Sequence, residues 1–385
     1  MNEVSGPLEG IVVVSLEAAV SAPFATRQLA DLGATVIKVE RPGGDFARHY
    51  DSVVQGESAF FVWANRGKQS VVLDVKDDAD LAMLRALIAG ADVFLHNLSP
   101  RAAADLGIGA QQLIEKHPSL IACEISGYGH GGPRTDDKAY DLAIQAEAGA
   151  FSVTGTDTPS KVGFSVADIC AAMYTLTSIL AALVRRERTG EGAAVHVSML
   201  DALAEWMSAP MYAAVYGPGQ APRTGRRHHA IAPYGTFLLS DGSTVLIAVQ
   251  SDGEWCSLAE HVLEDASLGT DARFATNSDR ITNVDELEAI LSAELASIPV
   301  DEARRRLAAG RIANARVNDL RGVWDHEQLR ARDHFHPVST PSGVIEMLDA
   351  PFDISGWPVP HGPVPALDEH DAAFVQSVID RGRAQ

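Results

Sequence analysis

An apolar run, Ile11-Val12-Val13-Val14-Ser15-Leu16, has the length of one buried β-strand. Pro23 then opens a helix that carries an apolar face and stops at Gly33. The next strand is Thr35-Val36-Ile37-Lys38-Val39. A strand, a helix and a second strand in this order predict a βαβ unit with a right-handed crossover, and hence a parallel sheet.

The same alternation continues along the chain and predicts an α/β fold with a Rossmann-like parallel sheet. Further strands are expected at 70–74, 92–95, 120–125 and 194–197, and further helices at 79–88, 111–116, from 168 and at 200–215.

Composition changes after this region. A loop rich in Gly and Pro at 217–225 precedes two strands that flank Asp241-Gly242, and helical segments follow. A Pro-rich stretch at 358–365 marks the return of the chain. We predict four parts: a large α/β domain at 1–215, a linker at 216–230, a small α+β domain at 231–325, and a return segment at 326–385 that completes the large domain.

The charge balance limits the partners. The chain has 385 residues and a net charge of −20, from 51 acidic and 31 basic residues. This argues against nucleic acid or an anionic membrane, so local cations must hold any anionic ligand. The cysteines Cys123, Cys170 and Cys256 lack disulfide or metal-ligand spacing, and we find no signal-peptide pattern and no membrane span. We predict a cytoplasmic protein.

Several common motifs are missing from the sequence. The first strand is not followed by Gly-x-Gly-x-x-Gly, and the chain has no Walker loop, no Gly-x-Ser-x-Gly and no His-Glu-x-x-His. His334-Phe335-His336 has no nearby carboxylate or cysteine at ligand spacing. We therefore predict neither a metal nor a permanently bound cofactor.

Basic residues recur beside turns of the predicted sheet. Lys38 and Arg41 surround a Pro-Gly-Gly turn, and Arg66 and Lys68 precede another strand. Ligands of open α/β sheets bind at the carboxyl ends of strands, so these cations are candidate phosphate contacts. A third basic patch, near the small domain, either caps a helix, is solvated or binds a substrate carboxylate; its residues are Arg223, Arg226, Arg227 and His228.

Two acidic residues occur where the local pattern requires no charge. Asp168 directly precedes a strongly apolar run, and Asp141 ends the segment Lys138-Ala139-Tyr140-Asp141. A carboxylate at a helix start faces unpaired N–H groups and the positive end of the dipole, so Asp168 should stay ionised and is a usable nucleophile. The alternative is that Asp168 only caps the helix.

Together these segments resemble the class III CoA-transferases, a family that also contains the α-methylacyl-CoA racemases. The match runs from Leu8 to His370. Its motifs stand here as Ala22-Pro23-Phe24 to Gly33-Ala34, Val36 to Asp45, Asn65-Arg66-Gly67-Lys68, Ser126-Gly127-Tyr128-Gly129 with Gly132-Pro133, Arg188-Thr189-Gly190 and Ala366-Leu367-Asp368-Glu369-His370.

The resemblance implies roles for individual residues. Asp168 matches the nucleophilic aspartate of the family, and Asp141 matches an acidic residue of the active site. Positions that contact CoA are matched by Arg41, Asn97, Lys138 and Met199. The resemblance also implies an interlocked homodimer, in which both chain ends build the large domain of each subunit and the small domain is inserted.

The implied activity is transfer of CoA from an acyl-CoA to a free carboxylic acid through aspartyl anhydride and aspartyl-CoA thioester intermediates. The chain looks most similar to transferases of short dicarboxylic acids, with succinyl-CoA as the expected donor. A racemase is the first alternative, but Tyr140 stands where racemases carry a histidine, and a tyrosine pKa of about 10 makes a poor base at neutral pH. A catalytically inactive CoA-binding protein is the second.

Overall fold

A computed structural model describes residues 6–370 and 372–384. Two compact units divide the chain. The first takes in the residues up to Ala150, then Lys161–Ala209, then the chain from Arg330 onward. The second consists of Phe151–Ser160 and Pro210–Leu329. The predicted domain boundary at 215 falls inside a helix, Ser208–Tyr216.

The first unit is built on a six-stranded sheet whose neighbouring strands all run parallel, in the order β3-β2-β1-β4-β5-β6. The strands are β1 Val12–Leu16, β2 Thr35–Glu40, β3 Lys68–Val72, β4 Val93–His96, β5 Ile121–Ser126 and β6 Ala193–Ser198. Val13 and Val14 are wholly buried on opposite faces of β1, because helices cover both faces. This confirms the predicted α/β fold with a parallel sheet.

Helices of the first unit form a layer on each face of the sheet. They are α1 Ser21–Asp31, α2 Ala59–Asn65, α3 Asp78–Ala89, α4 Pro100–Asp105, α5 Ala110–Lys116, α6 Asp141–Glu147, α7 Ala150–Val153, which continues into the second unit, α8 Val166–Thr189 and α9 Met199–Trp206. Leu29 of α1 and Ile179 of α8 pack on one face. Leu84 of α3 and Leu113 of α5 pack on the other.

Helix α8 is the central helix of this unit. Among the described residues it is the one helix long and apolar enough to cross a membrane by length and composition, yet 61% of its most apolar window is buried. Packing against the sheet and α1 therefore accounts for its apolar character. Its first residue is Val166, so Asp168 lies in the first turn and not at the cap position, which Ser165 occupies.

One predicted helix differs from the structure. The helix predicted at 200–215 is two helices, α9 and α10 Ser208–Tyr216, separated at Met207. The return of the chain ends in α17 Ala372–Ala384, whose Val375, Val378 and Ile379 pack with the core on the α3 side. Before α17 the chain forms an antiparallel pair, β10 Phe335–Thr340 and β11 Gly343–Leu348.

The second unit is an α+β structure with its own core. Strands β7 Tyr234–Leu238, β8 Thr244–Ala248 and β9 Ala313–Arg316 form an antiparallel sheet, and β7–β8 is the predicted hairpin. Its core surrounds Trp255 and Phe274. The helices of this region are α11 Asp252–His261, α12 Asn277–Thr282, α13 Val284–Leu295, α14 Val300–Ala309, α15 Leu320–Trp324 and α16 Glu327–Ala331.

Candidate active site

A cavity of about 1110 Å³ opens at the carboxyl ends of the parallel strands. Its walls are the segments that follow the first five strands, together with the start of α8 and Met199 directly after β6. The sheet order reverses between β1 and β4, and the crevice at such a switch point is where open α/β sheets bind ligands. The fold therefore places the candidate site at this edge.

Seven residues that the sequence singled out line this cavity. They are Arg41, Asn97, Lys138, Tyr140, Asp141, Asp168 and Met199. The structure thus brings together side chains that are up to 158 residues apart in sequence (199 − 41). The cavity is also lined by Glu17, Ser21, Asp45, Tyr50 and Lys76, none of which was predicted as a site residue.

Asp168 lies between the starts of two helices. It is in the first turn of α8, and the Ser21 hydroxyl and backbone N–H, at the start of α1, donate hydrogen bonds to its carboxylate. Burial, and next the charge of Asp141, raise the pKa of Asp168 to about 7, while Ser21 opposes the rise. Asp168 is therefore only partly ionised at neutral pH, in contrast to the expectation from its helix position, because burial outweighs the effect of the helix termini.

Asp141 supplies the missing cap of α8. Its Oδ1 accepts hydrogen bonds from the backbone N–H of Ala167 at 2.8 Å and of Asp168 at 3.4 Å, whereas Ser165 makes no side-chain cap. Its Oδ2 accepts from Gln145 Nε2 at 2.7 Å. Asp141 therefore positions the turn that carries Asp168 and raises the pKa of that carboxyl group by like charge.

Aromatic side chains line the cavity wall near Asp168. Tyr140 is 66% exposed. Burial, then the charges of Asp45 and Asp168, raise the pKa of Tyr50 to about 12, so its hydroxyl stays protonated and can donate. Tyr50 stacks edge-on against Phe60, another residue of the wall.

Three predicted phosphate-binding cations do not face the cavity. Lys38 and Lys68 have fully buried side chains, and both ammonium groups pair with Glu17, at 3.4 Å and 2.7 Å. Arg66 is 1% exposed and forms a bidentate pair with Asp31 at 2.9 Å. The structure corrects their predicted role: these side chains are engaged inside the protein and are not presented to a ligand.

The buried pairs instead hold the loops of the site. Lys38 also binds Asp45 at 2.9 Å, and Asp45 Oδ1 accepts from the N–H of Ala19, so the turns after β1 and β2 are joined. Burial lowers the pKa of Lys68 to about 7, with Glu17 opposing the shift and Lys38 adding to it. Burial opposes ionisation of Glu17, but the two lysines outweigh it and lower the pKa of that carboxyl group.

Exposed cations remain on the cavity wall. Lys76 and Lys138 are exposed, and Arg41 is exposed with its Nε donating to the Gly44 carbonyl at 3.0 Å. Both polar side-chain atoms of Asn97 bind the backbone of Ala18: Oδ1 accepts from its N–H at 3.0 Å, and Nδ2 donates to its carbonyl at 2.7 Å. Arg41, Lys76 and Lys138 therefore suit the phosphates of a ligand, whereas Asn97 fixes the turn after β1.

The third basic patch lies in the second unit. Arg223 donates to the carbonyls of Thr156 at 2.7 Å and Asp157 at 2.9 Å. Arg227 pairs with Asp285 at 2.9 Å, and the ring of His228 stacks on two neighbouring aromatic rings. Burial, and next His229, lower the pKa of His228. Arg226 is exposed, and its side chain has no partner within the part of the chain that the structure describes. Among the arginines of this patch, its guanidinium is therefore the one available to bind a ligand.

Comparison with known proteins identifies the family of the chain. The family model described as CoA-transferase family III matches residues 8–371. The chain is 36% identical to acetyl-CoA:oxalate CoA-transferase of Acetobacter aceti, over 96% of this chain and 95% of that protein. It is 32% identical to succinate–glutarate CoA-transferase of Agrobacterium fabrum, over 95% of this chain and 94% of that protein.

Solved structures agree as well. A CAIB/BAIF family protein from Brucella suis superposes with a TM-score of 0.86 at 32% identity, covering 97% of this chain and all of the other, 100%. Rv3272 from M. tuberculosis gives a TM-score of 0.86 at 28% identity, with 97% and 100% covered. The chain therefore belongs to CoA-transferase family III and is a CoA-transferase.

Proposed function

We propose that this enzyme moves CoA from a short dicarboxylyl-CoA, with succinyl-CoA as the donor, to a free carboxylic acid. The observation that carries the proposal is Asp168, a carboxyl group on the wall of the cavity at the carboxyl ends of the strands. The substrates follow from relatives named for oxalate, glutarate and mesaconate transfer. A cytoplasmic location and the homodimer belong to the same proposal and rest on the sequence resemblance.

CoA enters as a substrate and occupies the cavity. Arg41, Lys76 and Lys138 are the cations that meet its phosphates, in a chain whose net charge of −20 otherwise repels them. Met199, which also lines the cavity, offers an apolar surface to the pantetheine arm. Binding of the nucleotide orients the thioester at the far end, and such positioning contributes roughly 7–11 kcal/mol toward a barrier.

The first half-reaction forms a covalent enzyme. The carboxylate of Asp168 attacks the thioester carbonyl of the donor and expels CoA thiolate, which leaves a mixed anhydride. The thiolate then attacks the aspartyl carbonyl, expels the donor acid as a carboxylate and leaves an aspartyl-CoA thioester. A carboxylate whose pKa is raised to about 7 is more basic, and so more nucleophilic, than an ordinary aspartate.

The second half-reaction repeats these steps in reverse. The acceptor carboxylate attacks the aspartyl-CoA thioester, forms a new anhydride and releases the thiolate. Attack of the thiolate on the acceptor's carbonyl gives the new acyl-CoA and returns Asp168 as a carboxylate. The backbone N–H groups that Asp141 fixes at the start of α8 keep the aspartyl group in place throughout.

The substrate assignment is tested with donors that differ by one carboxylate. We expect CoA transfer from succinyl-CoA to oxalate, glutarate or mesaconate. A donor without the distal carboxylate, butyryl-CoA, should give a kcat/KM lower by roughly one to two decades, because a charged hydrogen bond to that carboxylate contributes about 1.5–3 kcal/mol.

Equal kcat/KM values for the two donors would contradict the assignment of a dicarboxylyl-CoA as the donor. Incorporation of solvent deuterium at the α-carbon of a 2-methylacyl-CoA, without CoA transfer, would replace the transferase assignment by a racemase.

The pH dependence of kcat/KM should follow the ionisation of Asp168. Only the carboxylate attacks, so kcat/KM should rise about tenfold per pH unit below pH 7 and level off above it. Asp141→Asn keeps an oxygen acceptor for the Ala167 N–H but removes the like charge, so the pKa of Asp168 should fall and the rising limb should move to lower pH. The measurement is a pH–rate profile of the single half-reaction.

The control is Asp136→Asn, which removes another carboxylate of the cavity wall that makes no hydrogen bond to the start of α8. Its rising limb should stay near that of the unmodified enzyme. A limb that does not move in Asp141→Asn, or that moves equally in both variants, would contradict the coupling of Asp141 to Asp168.

A further inference from the structure

Histidines and a glutamate meet on the sheet face that packs against α5, away from Asp168. His96, Glu124 and His196 are direct neighbours in the register of β4, β5 and β6, so their side chains leave the sheet on the same face. His130 reaches the same point from the loop after β5. None of these four residues takes part in the proposed CoA transfer.

The ligand atoms converge on one carboxylate. Glu124 Oε2 is 2.7 Å from His130 Nε2 and 3.1 Å from His196 Nδ1. One ligand atom from each of these three residues lies within 4.8 Å of the others. The imidazole rings of His130 and His196 are edge-on, with centroids 4.4 Å apart, so both rings direct nitrogen atoms toward the same carboxylate.

His96 is a buried neighbour of the cluster. Its side chain is 1% exposed, its Nδ1 accepts from the backbone N–H of Leu98, and its Nε2 lies 3.5 Å from Glu124 Oε1 with no hydrogen-bond partner. Since Nδ1 is an acceptor, the neutral ring carries its hydrogen on Nε2. His96 is thus a donor aimed at Glu124 and not a ligand itself. Carboxylate ligands are commonly oriented by such a second contact.

We propose that Glu124, His130 and His196 bind a divalent ion of the zinc type. Two imidazoles and one carboxylate form the protein part of a zinc site that keeps an open position. The side chains of His130 and His196 are 42% and 41% exposed, which gives an ion and its water access, while Glu124 is 5% exposed and already held by the Ala110 N–H.

The ion replaces the two hydrogen bonds that now converge on Glu124 Oε2. It joins β5 and β6 to the loop that begins at Ser126 and Gly127, and these two residues also line the cavity. Occupancy of the site therefore stabilises one wall of the cavity without contact to Asp168. This proposal does not depend on the identity of the CoA acceptor.

The site is tested on full-length enzyme freed of metal by a chelator. Titration with Zn²⁺ should give one tight equivalent, and Co²⁺ should give visible absorption of a tetrahedral or five-coordinate ion. His130→Ala and His196→Ala should each weaken Zn²⁺ binding by about 100-fold or more. Loss of a group that only orients a metal ligand already weakens metal binding by about 10–100-fold. Both side chains are partly exposed, so the fold should persist, as far-ultraviolet circular dichroism will check.

The matched control is His336→Ala. His336 and His361 flank Asp349 at 3.2 Å and 3.5 Å, a second cluster of ligand type in the same unit. This variant should keep the Zn²⁺ affinity of the unmodified protein. Loss of the tight equivalent in His336→Ala but not in His130→Ala would place the ion elsewhere and overturn the proposal, as would equal Zn²⁺ affinity in all three variants.

Discussion

Asp168→Ala should lower the rate of CoA transfer by about 10⁴-fold or more while the protein remains folded. The variant lacks the group that forms both covalent intermediates, and loss of a nucleophile removes the whole route and not one contact. The measurement is the rate of transfer between succinyl-CoA and a carboxylic acid. Asp105→Ala, which removes an exposed carboxylate outside the cavity, should keep full activity.

The covalent intermediate can be observed directly. After incubation with acyl-CoA and no acceptor, the peptide that contains Asp168 should gain the mass of CoA less one water, as a thioester, and hydroxylamine should release the CoA. The Asp168→Ala protein should show no such adduct. Substantial turnover by this variant, or an adduct on another carboxylate, would reject the mechanism and leave the family assignment intact.

The unfolding temperature of Asp168→Ala distinguishes a catalytic role of Asp168 from a structural one. Because the folded protein raises the pKa of Asp168 above its usual value, ionisation of Asp168 disfavours the folded state as pH rises through about 7. Asp168→Ala should therefore unfold at the same or a higher temperature than the unmodified enzyme at pH 8. A residue that only capped α8 would show the opposite sign, and the Asp141 contacts explain why the cap survives.

Local patterns were sufficient to predict the sheet domain. The first strand, helix and second strand lie within one or two residues of their predicted bounds, because buried parallel strands are short apolar runs and Gly33 ends the helix in the left-handed region. The position of Asp168 was also predicted to within the first turn of α8. Its raised pKa was not, since that depends on burial and on Asp141, 27 residues away.

Long-range pairing explains the cations that were assigned wrongly. Beside a turn, Lys38 and Lys68 have the same local sequence whether they face solvent or a partner, and their shared partner Glu17 is 21 and 51 residues away. The cluster around Glu124 was missed for the same reason. His196 is 72 residues from Glu124, and only the order of the strands brings them together.

Glu17→Gln should give the largest loss of folding stability among single polar substitutions at the site. The buried Glu17 carboxylate accepts from Lys68 Nζ at 2.7 Å and from Thr26 Oγ1 at 2.7 Å, and it also pairs with Lys38. Replacing it with an amide leaves two buried ammonium groups without this counter-charge. Breaking a buried ion pair on one side costs about 3–5 kcal/mol, so urea unfolding should show a loss of that size at pH 6.

Two features distinguish this cause from a loss of packing. Burial already lowers the pKa of Lys68 to about 7, and removal of the Glu17 charge lowers it further, so the lysine of the variant sheds its proton and the loss of stability at pH 8.5 should be smaller than at pH 6. The double variant Glu17→Gln with Lys68→Met removes one charge of each sign and should recover most of the lost stability. The control is Glu9→Gln, at an exposed carboxylate, whose stability should stay within about 0.5 kcal/mol of that of the unmodified protein. A double variant no more stable than Glu17→Gln alone would show that Glu17 stabilises the protein through hydrogen bonding and packing, and not by compensating the charge of Lys68.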